Sequence, residues 1–148
     1  MLVRERMTQN PMTVAPSTPA LEAAARLKVS RLHVLPVVEN GQLVGVLKDR
    51  DLEEAAAKRA QEQGDHLPYL VSRFLLQDLK VQDIMAHSTA ELSPGMTLPE
   101  AARQMLKHGV MGLPVVQNGA LVGVITVTDL LGALAEQEKT EQTPQVNA

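Results

Sequence analysis

Leu35-Pro36-Val37-Val38-Glu39-Asn40-Gly41-Gln42-Leu43-Val44-Gly45-Val46 returns 78 residues later as Leu113-Pro114-Val115-Val116-Gln117-Asn118-Gly119-Ala120-Leu121-Val122-Gly123-Val124, identical at ten of twelve positions. The same ungapped offset carries Met7 onto Met85, Pro16 onto Pro94, Glu22 onto Glu100, Ala23-Ala24 onto Ala101-Ala102 and Asp51 onto Asp129. Asn-Gly between two aliphatic runs is a strong hairpin signal, because both turn positions favour positive φ. Gly45 and Gly123 fall inside the returning strands, where a missing side chain implies close approach of another group. A unit of this length buries too little apolar surface to stand alone. Two copies are therefore expected to pack about a pseudo-two-fold axis, with residues 7–54 superposing on 85–132, and clefts between packed repeats are natural ligand sites.

Working outward from the hairpins, each unit reads strand, helix, hairpin, helix. In the first, Val3 to Val14 is an irregular lead-in ending in an extended piece, Met12-Thr13-Val14. Thr18-Pro19 reads as an N-cap with proline at the first helical position, opening a helix to about Val29. In the second, Thr97 and Glu100 have capping-box spacing, and Leu98, Ala101, Ala102, Met105 and Leu106 form one helical face. The second helices are expected over about Asp49 to Gln63 and Val127 to Gln137. Gly64-Asp65 breaks the chain between units, and Tyr69 to Leu79 has the pattern of an amphipathic linker helix using Leu70, Phe74, Leu75 and Leu79. The division is thus 1–63, a linker helix within 64–80, 81–137, and a polar, disordered tail over 138–148.

Composition narrows the function. One Phe, one Tyr and no Trp leave an aliphatic core and few platforms for stacking bases. The net charge of −3 argues against binding a nucleic-acid backbone. With no cysteine, disulfides and thiolate-ligated metals are excluded. No apolar run approaches the length of a membrane span and no signal-peptide core is visible, so a cytoplasmic protein is expected.

Catalytic signatures such as the phosphate-binding loop, the nucleophile elbow and the paired-histidine zinc motif are missing. His33, His66, His87 and His108 share no metal-ligand spacing, and no metal site is expected. Solvated surface roles suit them, His33 excepted because it immediately precedes a buried strand. The informative residues follow the hairpins: Gly123-Val124-Ile125-Thr126-Val127-Thr128-Asp129, and Gly45-Val46-Leu47-Lys48-Asp49-Arg50-Asp51. Each run puts hydroxyls or charges where a strand enters a helix, and free N–H groups there attract anions. An aspartate one turn in can accept both hydrogen bonds of a ribose diol. A plainer reading needs no ligand, since Thr126 and Asp129 also have capping-box spacing. An enzyme holding Mg²⁺ on Asp49 and Asp51 would lack a positioned base or nucleophile.

With these motifs in register, the chain resembles a tandem pair of CBS (cystathionine-β-synthase) domains, a Bateman module, over about Val3 to Glu136. It is similar to stand-alone bacterial CBS proteins of the acetoin-utilisation type. The resemblance implies an α+β fold of two β-α-β-β-α units and a non-catalytic sensor that binds AMP, ADP, ATP or S-adenosylmethionine as a regulatory ligand, with no other cofactor. It gives Thr126 and Asp129 the ribose and phosphate roles, with Thr128 beside them and Met7, Thr8, Met12 and Val34 from the other repeat around the adenine. For the second cleft it implies Asp51 with His33, Lys48 and Arg50, faced by Met85, Ala86, Ala90 and Gly112. Lys48 stands where the family motif has a hydroxyl, which shifts that cleft towards phosphate charge. Arg4 and Arg6 are expected near phosphate at the Asp129 cleft. Family members pair as dimers, so a homodimer burying Leu130, Leu131 and Leu134 is expected. The alternative is a ligand-free dimeric interaction module. The regulated partner is not legible, and neither nucleic acid nor membrane is expected as one.

Overall fold

A computed structural model describes residues 1–62, 76–87 and 89–142. The elements are α1 (Val3–Arg6), β1 (Thr8–Gln9), α2 (Ala20–Ser30), β2 (Val34–Glu39), β3 (Gln42–Lys48), α3 (Asp49–Glu62), α4 (Val81–Ile84), α5 (Leu98–His108), β4 (Gly112–Gln117), β5 (Ala120–Thr126) and α6 (Val127–Gln142). The 78-residue offset carries α1 onto α4, α2 onto α5, β2 onto β4 and β3 onto β5, and it carries the first residue of α3 onto that of α6. This is the expected mixed fold of helices on antiparallel strands.

Both hairpins turn through residues of positive φ, Asn40 and Gly41 at 52° and 77°, Asn118 and Gly119 at 53° and 81°. Their registers are copies. Val34 faces Lys48 as Gly112 faces Thr126, and the ladder slips between Val37 and Val38 as it does between Val115 and Val116. The hairpins meet at their tips, where Gln42 pairs with Ala120.

The lead-ins cross. β1 pairs antiparallel with β5 of the other unit, Thr8 opposite Val124, and Ala86 makes the equivalent bridge with Val46. Val3 N–H donates to the Met96 carbonyl at 2.8 Å, and Val81 N–H to the Thr18 carbonyl at 2.9 Å. Val3 consequently belongs to the apolar cluster of Leu92, Leu98, Leu113 and Ile125, and Val81 to that of Val14, Leu27, Leu35 and Leu47. A third cluster, Val34, Val46 and Val124, joins the hairpins at the centre. Sequence units 1–63 and 81–137 thus each lend their first residues to the other's core. Gly45 and Gly123 permit this. A Cβ on Gly45 would stand 2.6 Å from the Ala86 carbonyl, and one on Gly123 2.8 Å from the Thr8 carbonyl.

Four local expectations change. The extended piece Met12-Thr13-Val14 reduces to one parallel bridge from Val14 to Val37. Pro19, not Thr18, holds the cap position of α2, because Pro19 is the equivalent of Thr97. The first free N–H of α2, on Ala20, donates instead to the Leu79 carbonyl, and the Thr18 hydroxyl accepts from Ala15 N–H. Helix α6 runs to Gln142, into the stretch expected to be disordered, because Glu138 to Gln142 contain neither glycine nor proline and polarity alone does not end a helix. The expected linker helix Tyr69 to Leu79 falls mostly outside the described residues, and its described end is a turn at 76–78 with Leu76 buried. Among the described residues no helix is long and apolar enough to cross a membrane.

Candidate functional site

Each returning strand delivers its last residue directly into a helix, so Lys48 and Thr126 sit at strand ends while Asp51 and Asp129 occupy the first helical turn. The Asp129 carboxylate accepts from Thr126 N–H at 2.8 Å and from the Thr126 hydroxyl at 3.1 Å, all at Oδ2. The hydroxyl in turn accepts from Asp129 N–H at 3.4 Å. The Asp51 carboxylate accepts from Lys48 N–H at 2.8 Å, with no hydroxyl to add a second bond. The capping geometry is therefore present at both junctions. It uses one carboxylate oxygen, and Oδ1 of each aspartate has no donor among the described residues. Capping and accepting from a ligand are compatible.

At the Asp129 junction, the crossing lead-in brings Met7 and Thr8 against Gly123, three residues before Thr126. Val34 also arrives: a Cβ on Gly112 would lie 3.3 Å from both Val34 Cγ1 and Thr126 Cγ2. Gly112, expected with Asp51, thus packs on Thr126. Thr126 is buried, Asp129 half-buried, and Thr128 and Met12 are exposed. Arg6 is ion-paired with Glu136 on α6, and its guanidinium pKa is raised first by that hydrogen bond, with the charges of Glu136, Glu5 and Asp129 adding to it. Of the two expected phosphate partners, Arg4 is exposed and Arg6 is engaged.

The first-unit junction divides its expected residues. Lys48 and Ala90 line a cleft of about 410 Å³ together with Thr89, His108, Val110 and Leu113. Asp51 lines a different hollow, with Lys58, Arg59 and Asp83 among its neighbours. Its carboxyl is turned onto the Lys48 N–H, and partial burial raises its pKa against the lowering effects of that N–H and of the Lys48 charge. Met85 and Ala86 press on Gly45, the counterpart of Met7 and Thr8. His33 and Arg50 are exposed, His33 at a φ of 60° just before β2. His108, Val110 and Leu113 were not legible as cleft residues, because they are tertiary neighbours across the unit boundary; the sequence suggests only a solvated surface role for His108. No three His, Cys, Asp or Glu side chains among the described residues are grouped to hold a metal.

The family model described as "CBS domain" matches twice, at residues 3–58 and 81–136. The chain is 32% identical over 128 residues to the CBS domain-containing protein YhcV of Bacillus subtilis, covering 86% of this chain and 81% of that one. It is 31% identical over 126 residues, 82% of its length, to inosine-5'-monophosphate dehydrogenase of Staphylococcus epidermidis, of which it spans only 22%. Among solved structures, CBSX2 in complex with AMP is similar at a TM-score of 0.74 and 29% identity, covering 93% of this chain and 98% of that one.

Proposed function

This chain belongs to the CBS domain family, and from that premise we propose that it is a regulatory module binding an adenosine-containing ligand first at the Asp129 junction. The observation that carries the reading is the Thr126–Asp129 pair, set at a strand-to-helix junction where the other unit's lead-in arrives, with one carboxylate oxygen committed to the cap and the other left over. Asp129 Oδ1 accepts from the ribose diol, Met7, Thr8 and Val34 contribute the apolar surroundings of the base, and Arg4 meets phosphate. The complex of the similar CBSX2 with AMP supports adenosine as the common part of the ligand. Binding favours one arrangement of the units, by no more than the ligand's differential affinity for the two arrangements.

The chain is proposed to act as a homodimer. An apolar hollow of about 500 Å³ between α5 and α6 is lined by Met1, Leu98, Leu130, Leu131 and Leu134, and Leu131 and Leu134 are 60% and 63% exposed. A second copy that brings its own equivalent face covers both hollows at once. The cap itself favours a second reading, a dimeric interaction module with empty clefts, since the aspartate has structural work without a ligand.

Titration calorimetry with AMP, ADP, ATP and S-adenosylmethionine separates the two. Asp129→Ala is expected to cost about 1–3 kcal/mol of binding, the scale for leaving polar partners unpaired, or roughly one to two decades in Kd. Asp51→Ala weakens this first event much less. A lower Tm with unchanged nucleotide affinity in Asp129→Ala would leave only the capping role.

A further inference from the structure

The two units are copies in backbone and unequal in charge, and the inequality is concentrated in the clefts. Lys48 and His108 line the first cleft, opposite a wall of Ala90, Val110 and Leu113. The 78-residue offset replaces Lys48 by Thr126 and His108 by Ser30. The Ser30 hydroxyl is spent on its own helix, donating to the Leu27 carbonyl at 3.1 Å. The Lys48 ammonium has no hydrogen bond or ion pair among the described residues. A half-buried, unpaired ammonium lining a cleft of nucleotide size is a partner for an anion, and lysine serves phosphate as a compact point charge.

We propose that the Lys48 cleft takes the polyphosphate chain of a nucleoside di- or triphosphate, while the Thr126 cleft takes a ligand of lower charge. The aliphatic wall receives the base, Lys48 bonds the distal phosphates, and His108, at the last turn of α5, reaches them from the opposite unit. This rests on the adenosine reading above and adds the charge of the ligand and the cleft that selects it.

The test is calorimetric titration of the full chain with ATP and with AMP, in the parent, Lys48→Met, Lys48→Arg and His108→Ala. ATP is expected to bind the parent about tenfold more tightly than AMP, a factor worth about 1.4 kcal/mol. Lys48→Met should remove most of that preference and Lys48→Arg keep it, with a smaller loss in His108→Ala. The arginine variant guards against a merely structural effect of position 48. An ATP-to-AMP ratio unaltered in a folded Lys48→Met overturns the proposal. If AMP binding responds to Asp129→Ala while ATP shows no Lys48-dependent advantage, this inference alone falls. If no adenosine ligand binds the parent, the adenosine reading falls and this one with it.

Discussion

Asp51 and Asp129 hold equivalent positions, and the residue three places before each makes their surroundings different. Thr126 gives Asp129 two donors, whereas Lys48 gives Asp51 one N–H and a charge. For Asp51, burial outweighs both and raises the pKa above its model value of 3.8, with Glu54 acting in the same direction and Arg50 against it. The folded chain therefore holds a proton that the unfolded chain has released, in the window from the unfolded value up to the raised one. Stability falls as pH rises through that window. Asp51→Asn keeps an oxygen for the Lys48 N–H and cannot ionise. Its Tm relative to the parent is expected to improve from acid to neutral pH, and parallel Tm profiles would contradict the assignment. The two aspartates were plain in the sequence. Their unequal environments were half legible, since Lys48 marks the departure and burial does not show in a motif.

Helix starts show which local signals survive tertiary context. Thr97 caps α5 as its spacing with Glu100 predicts, accepting from Glu100 N–H at 3.3 Å while Thr97 N–H donates to Glu100 at 2.9 Å. Thr97→Ala is expected to cost about 0.5–2 kcal/mol of stability, the usual cost of losing such a cap, read as a lower midpoint in urea unfolding. Thr18→Ala should not cost a cap, because α2 is closed by the Leu79 carbonyl. Thr18-Pro19 misleads since the chain satisfies α2 from across the molecule, and no short window of sequence shows that. The hairpins were legible down to their turns because Asn-Gly and alternating burial are local. The lead-in pairings were not, because Thr8–Gln9 and Ala86 are too short to carry a period. Gly45 and Gly123 were the only sign that something passes close by.

For the molecule as a whole, the repeat fixed the pseudo-symmetry, and the faces of the clefts became visible only once the units were docked. His108, Val110 and Leu113 lie more than 60 residues from Lys48. The exposed leucines of α6 set the prediction at this scale. Light scattering is expected to give twice the 16.0 kDa chain mass, and Leu131→Glu combined with Leu134→Glu should return a folded monomer. A parent that is already monomeric at micromolar concentration excludes the dimer. The exchange of lead-ins also has a bearing on synthesis. A ribosome that has delivered residues 1–62 has made a hairpin whose Gly45 still awaits the Ala86 carbonyl, and a β1 whose partner is not yet translated. The first unit cannot be finished and set aside while the second emerges. Both close together when β5 clears the exit tunnel, so a stalled or truncated chain presents two open sheet edges at once, the kind of surface that chaperones hold and aggregates recruit.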